Sequence, residues 1–194
     1  MTLSQFFALS LTVILAENYI FVKYLGICPF IGASQKISTA CGMGTAVTFV
    51  IVMSSAATYG IDQYLLRPFG LDYLRTVAFV LVIAGLVQFV EMFLQRVLPG
   101  LHTALGIYLP LITTNCAVLA VAIIISDNSM TFGDAVLYGL LAGVGFFLAI
   151  VLFAGVRERL EYAECPKCFE GFPIALVSAA LLAMSFMGFS GMRI

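Results

Sequence analysis

Leu105-Gly106-Ile107-Tyr108-Leu109-Pro110-Leu111-Ile112-Thr113-Thr114-Asn115-Cys116 sets a proline, a glycine and polar side chains inside a run that otherwise reads as a plain apolar helix. A second stretch does the same: Ala16-Glu17-Asn18-Tyr19-Ile20-Phe21-Val22-Lys23-Tyr24-Leu25-Gly26-Ile27-Cys28-Pro29-Phe30. Pro29 and Pro110 each lack a backbone donor and disfavour helix at the residue before them, which predicts irregular backbone in both stretches. At membrane depth such backbone survives only where protein buries it or where it lines a cavity. The two stretches together therefore read as half-helices.

Composition fixes the setting. Of the 194 residues, 62% are hydrophobic and 10% are charged, whereas a water-soluble domain needs roughly a quarter charged. Nine Lys and Arg against ten Asp and Glu leave no basic surface for a nucleic-acid backbone, so a nucleic-acid partner is excluded. The long continuous apolar runs lack the alternation of a transmembrane barrel. Met1 to Gln5 lacks the positive start of a removable signal, and the first helix is expected to remain in the mature chain. The expected class is an all-α polytopic membrane protein.

Apolar runs between breaks give six spans, at roughly 3–24, 38–62, 72–95, 104–126, 133–156 and 172–192, in a single membrane domain over 1–194. Placing the N-terminus outside collects Lys23, Lys36, Arg96, Arg157, Arg159 and Lys167 on the cytoplasmic side and leaves Arg67, Arg75 and Arg193 outside. Both termini are accordingly expected outside. A shift of 97 positions lays Asn18 on Asn115, Gly42 on Gly139, Phe49 on Phe146 and Phe89 on Phe186. This suggests repeats over approximately 1–97 and 98–194. Three spans in each force the second to run inverted, and the broken first helix of each half then marks the functional site near the bilayer midplane.

The chemistry-bearing residues are few. The lone His102 suits a helix end and receives no role. Gly42, Gly44, Gly139, Gly143 and Gly145 read as packing faces, because small residues let membrane helices approach closely. Cys41, between Ala40 and Gly42, reads as a small buried hydrophobe. Cys165-Pro166-Lys167-Cys168 is one thiol pair where zinc and iron–sulfur sites want four ligands, and no essential role is assigned to it. Cys28 and Cys116 each stand at a break, and both a metal-ligand and a packing reading are open for them. Glu17, with Asn18 beside it, lies inside a span, where a carboxylate tends to mark an ion or proton path. Glu91 shares a helix face with Gln88 and Gln95, one turn from Arg96, and is read as an interfacial group that pairs or snorkels.

These stretches, with Leu74-Arg75-Thr76-Val77-Ala78-Phe79, Val87-Gln88-Phe89-Val90-Glu91-Met92, Val156-Arg157-Glu158-Arg159-Leu160 and Phe186-Met187-Gly188-Phe189-Ser190-Gly191, resemble the A-subunit family of the Rnf ion-translocating ferredoxin:NAD oxidoreductase complex from end to end. The E subunit of the sodium-pumping NADH:quinone oxidoreductase, a homologue, is less closely similar and stands as the alternative. The Leu-Gly-Ile and Pro before Thr-Thr-Asn-Cys form the most specific signature. The resemblance implies six helices in two inverted repeats, and an obligate heterodimer with the homologous Rnf E subunit in opposite orientation. It implies a [2Fe-2S] cluster in the membrane with two Cys from each chain, here Cys28 and Cys116. Gly26, Ile27, Thr114 and Asn115 are the implied surroundings of that cluster. It further implies a place in the bacterial inner membrane, electron flow between ferredoxin and NAD coupled to sodium or proton movement, substrate, flavin and NAD sites on other subunits, and the B, C, D and G subunits of the complex as further partners. Cys165 and Cys168 depart from the family pattern. Two rival readings are an ion carrier or channel using Glu17 and Asn18 with no redox centre, and a scaffold for partner subunits.

Overall fold

In the computed structural model, residues 9–66, 68, 72–97, 109–128, 130–162 and 171–189 are described. His102, Cys165 and Cys168 lie outside them. Among the described residues there is no strand. The helices are α1 (Ile27–Ala33), α2 (Ile37–Ile61), α3 (Arg75–Val97), α4 (Leu109–Thr113), α5 (Cys116–Asp127), α6 (Phe132–Leu160) and α7 (Phe172–Met187), with a π-helical turn over Thr12–Ala16 before them and another, Asp62–Leu66, extending α2. Among the described residues, three helical stretches are long and apolar enough to cross a membrane: Ile37–Leu66, Arg75–Met92 and Phe132–Leu160. Two shorter apolar stretches are Leu111–Asp127 and Phe172–Met187. The expected spans at 3–24 and 104–126 are thus not continuous helices.

The centre of the bundle is the antiparallel pair of α2 and α6. Leu, Ile and Val are as apolar as lipid tails, so burying them against another helix gains little in a bilayer, and close packing of small residues has to bring helices together. A methyl group added to Gly143 would lie 3.0 Å from the Thr48 Cα, one on Gly139 3.0 Å from Ser55 Cβ, and one on Gly44 3.2 Å from Ile150. Thr48 bridges the crossing, its hydroxyl donating to Gly44 O at 2.7 Å and to Gly143 O at 3.0 Å. Gly42, by contrast, has open space around it and is not part of this face. The two ends of the bundle carry different charged groups. Arg157 sits at the Ser34 end, and Arg75 reaches Asp62 and Asp127 at the other.

The outer helices show the inside-out logic of lipid-facing protein. Val77, Leu81, Phe89 and Met92 of α3 are exposed, as are Phe172, Leu181 and Met184 of α7. Ser55 and Thr58 of α2 are instead buried, and their hydroxyls donate to carbonyls one turn back, Ser55 to Ile51 O at 2.7 Å and Thr58 to Ser54 O at 2.6 Å. Four aromatic rings lock the N-terminal segment to the core. Phe30 of α1 stacks on Phe153 of α6 with centroids 4.3 Å apart, and Phe21 packs against both Phe30 and Phe186.

Candidate functional site: two interrupted helices that meet

The first interruption begins where Asn18 diverts the chain. Its side-chain oxygen accepts from Ile20 N at 3.0 Å and Phe21 N at 3.4 Å, while its amide donates to Ile14 O and to Gly145 O of α6, both at 3.0 Å. The residue is fully buried. Backbone donors that a continuous helix would satisfy internally are thus paired by one side chain. The chain then runs irregularly to Gly26, which adopts φ +83 and caps α1. The second interruption is built the same way. Asn115 caps α5 and its side-chain oxygen accepts from Ala117 N, two residues on, at 3.0 Å. Asn18 and Asn115 are the pair laid together by the shift of 97 residues.

The prolines are not where the chain breaks. Pro29 is the third residue of α1 and Pro110 the second of α4, both in first turns. There the missing N–H has no helical partner to lose, so proline is tolerated and marks where a half-helix starts. The expected breaks exist, but asparagine and glycine make them.

The two interruptions touch. A methyl group on Gly26 would lie 3.1 Å from Asn115 Oδ1, 3.3 Å from Ala117 Cβ and 3.0 Å from the Phe146 ring. Gly26 precedes Cys28 by two residues and Asn115 precedes Cys116 by one, so both cysteine Cα atoms lie within about 7 Å of that contact. Both thiols are free and both residues are exposed, whereas Cys41 is half-buried on α2. Each cysteine stands in the first turn of its helix, where unpaired N–H groups favour negative charge. Asn115 Nδ2 is buried and has no hydrogen-bond partner. Ile27 is exposed, as is Thr114. The residues present fit half of a four-thiolate cluster: two exposed cysteines on helix starts that touch, anion-favouring backbone, and one uncommitted amide donor between them. Among the described residues no group of three or more His, Cys, Asp or Glu side chains is placed to hold a metal ion by itself.

The other residues singled out in the sequence fall elsewhere. Glu17 is half-exposed and its carboxylate meets Lys23 at 3.1 Å, with Lys23 also lying over the Tyr19 ring. Asn18 is committed to the four bonds above. Glu91 accepts from Gln88 at 3.5 Å on α3. Two residues that matter to the site are not assigned to it by the sequence. Phe146 closes over Gly26, and Arg157 donates to Ile31 O at 2.8 Å and to Ser34 Oγ at 3.0 Å, anchoring the C-terminal end of α1. The only signal for Arg157 is a charge at the end of an apolar span, which reads as a topology marker.

An all-helical bundle with helices long and apolar enough to span a membrane, two of its other helices being interrupted and touching near their cysteines, defines a polytopic membrane protein. A family described as "Rnf-Nqr subunit, membrane protein" matches residues 6–193, and the chain belongs to it. It is 53% identical over 184 residues to the A subunit of the Na(+)-translocating ferredoxin:NAD(+) oxidoreductase complex of Acetobacterium woodii, covering 95% of this chain and 96% of that one. It is 50% identical to the A subunit of the ion-translocating oxidoreductase complex of Thioalkalivibrio sulfidiphilus over 190 residues, covering 98% and 99% of the two chains. The protein of the same name from Vibrio cholerae is 47% identical over 191 residues, covering 98% and 90%.

Proposed function

We propose that this Rnf-type membrane component of an ion-translocating oxidoreductase complex supplies Cys28 and Cys116 as half of the ligand set of an intramembrane [2Fe-2S] cluster. A homologous chain of inverted orientation, the E subunit of the complex, supplies the other two thiolates, and the B, C, D and G subunits supply the remaining redox sites. The complex sits in the bacterial inner membrane with both termini of this chain outside the cytoplasm, and the chain itself is two inverted repeats of three spans. The observation that supports this reading is the Gly26–Asn115 contact, from which two cysteines 88 positions apart are each removed by only one or two residues.

A [2Fe-2S] cluster, when bound, supplies one-electron transfer. The chain's own residues do the rest. Cys28 and Cys116 offer thiolates at an exposed face, so two more must come from outside the chain. Helix α5 runs 12 residues from Cys116 to the exposed Asp127, about 18 Å, which sets Cys116 roughly midway across a hydrocarbon layer about 30 Å thick. Asn115 Nδ2 is available to donate a hydrogen bond toward a ligand sulfur, and Gly26 keeps a side chain from prising the two turns apart. Arg157 and the Phe30–Phe153 stack hold α1, and with it Cys28, against α6.

In the purified complex, Cys28→Ser and Cys116→Ser each remove the electron paramagnetic resonance signal of the reduced [2Fe-2S] centre, and each lowers ferredoxin-to-NAD electron transfer by about a hundredfold or more, the scale of losing a metal ligand or its support. Cys41→Ser leaves both unchanged. A signal that persists in either ligand variant overturns the assignment.

A further inference from the structure

The uncharged part of α6 gives the depth of everything bound to it. Residues 135–156, between Asp134 and Arg157, carry no charge, and these 22 residues run about 33 Å, close to the roughly 30 Å of a hydrocarbon layer. The middle of that run falls between Gly145 and Phe146. Asn18 is tied to this level, its amide donating to Gly145 O at 3.0 Å. Two ionised residues are fixed beside Asn18. Glu17 precedes it by one peptide, about 3.8 Å between Cα atoms, and Lys23 N donates to Asn18 O at 3.2 Å. The carboxylate of Glu17 and the ammonium of Lys23 meet at 3.1 Å. An ion pair thus stands near the middle of the membrane.

The pair does not lie inside the bundle. Asn18, Tyr19, Ile20 and Phe21 are buried, whereas the Glu17 side chain is 52% exposed and that of Lys23 28%. A carboxylate offers about four acceptor positions and an ammonium three donors, so one contact leaves most of this capacity unused. Lipid tails cannot take it up, and ionised groups at this depth face either the bundle interior or a water-filled cavity. Exposure excludes the interior. An apolar neighbouring subunit laid over the pair would strip water from both charges, a loss that a single contact does not offset. We infer that in the assembled complex the Glu17–Lys23 pair lines a water-filled recess, open to hydrated cations, that reaches the middle of the membrane. Its floor is closed. Lys23 lies 5.0 Å over the Tyr19 ring, and the Tyr19 hydroxyl is hydrogen-bonded at 2.9 Å to that of Tyr138 in the core. A recess of this depth leaves a transported ion only about half of the hydrocarbon layer to cross. It is independent of the cluster assignment, since neither Cys28 nor Cys116 takes part in it.

The test places a thiol at the pair and asks whether a hydrated cation reaches it. The whole complex in proteoliposomes, carrying Glu17→Cys or the double substitution Glu17→Cys with Lys23→Gln, is exposed on both faces to a positively charged, membrane-impermeant methanethiosulfonate. The double variant leaves no unpaired charge behind. Subunit content is matched, and mass spectrometry of the peptides separates position 17 from the native cysteines. Leu81→Cys, at a residue 72% exposed on the apolar α3, is the lipid-facing control. Only a thiolate in contact with water reacts, so position 17 is modified at least about tenfold faster than position 81 in both variants. Modification of position 17 as slow as that of position 81 overturns the recess. Modification that appears only after the complex is dissociated in detergent overturns it as well, because a neighbouring subunit then covers the pair. Either result leaves the cluster assignment standing.

Discussion

Gly26→Ala is expected to cost the chain about 2–5 kcal/mol of stability and to abolish the reduced [2Fe-2S] signal of the complex. Two independent penalties meet at this residue. Its φ of +83 lies in the left-handed region, where a Cβ costs roughly 1–2 kcal/mol. That Cβ would also press 3.0 Å from the Phe146 ring, 3.1 Å from Asn115 Oδ1 and 3.3 Å from Ala117, an overpacking worth roughly 1–3 kcal/mol. Relief comes from displacing Phe146 and Asn115 or from moving α1 away from the start of α5, and either disturbs the contact beside Cys28 and Cys116. Thermal denaturation in detergent reads the first effect and paramagnetic resonance the second. Gly42→Ala, at a position with open space around it, should change neither. If Gly26→Ala were as stable as the unsubstituted protein and kept its signal, the close contact of the two interruptions would not be what assembles the site.

Asn18→Ala is expected to be at least as damaging to folding, by about 4 kcal/mol or more. The side chain serves Ile14 O, Gly145 O, Ile20 N and Phe21 N at once, and truncation strands the Ile20 and Phe21 donors in a buried region and unties the segment from α6. Each buried backbone group left unpaired costs roughly 1–3 kcal/mol, and no water enters a hydrocarbon layer to replace the lost partner. Asn18→Asp keeps the acceptor for Ile20 and Phe21 but faces Ile14 O and Gly145 O with a second acceptor, so it should rescue little. Recovery of folded protein from the membrane, followed by thermal denaturation, checks both variants. Near-normal stability of Asn18→Ala would mean that the first interruption is held open by something other than this side chain.

Much of the architecture is readable from the chain because the bilayer allows so few solutions. Apolar runs of 37–61 and 132–160 have to be helices, and the small residues Gly44, Gly139 and Gly143 in them have to mark where helices cross. The interruptions are also readable, though for an incomplete reason. Proline is the breaker that the sequence suggests, whereas Pro29 and Pro110 lie in first turns and the chain is diverted by Asn18, Gly26 and Asn115. An asparagine that replaces a helix's own hydrogen bonds leaves no periodicity behind, and its effect emerges only when its partners are known. The site is legible as two cysteines beside breaks, but the contact joining them spans 89 residues between Gly26 and Asn115, a separation no local pattern encodes. Glu17 shows the same dependence on the fold: a carboxylate within an apolar run suggests an ion path, and only the interruption reveals its half-exposed position beside Lys23.

The most direct test of the account is to coexpress this chain with its homologous inverted partner alone, purify the pair and count the iron. If each chain contributes two thiolates to one shared centre, the pair carries about two iron atoms with matching acid-labile sulfide, and neither chain retains iron by itself. An assembled, folded pair that binds no iron would contradict the shared centre and leave a helical bundle whose two cysteines meet for some other purpose.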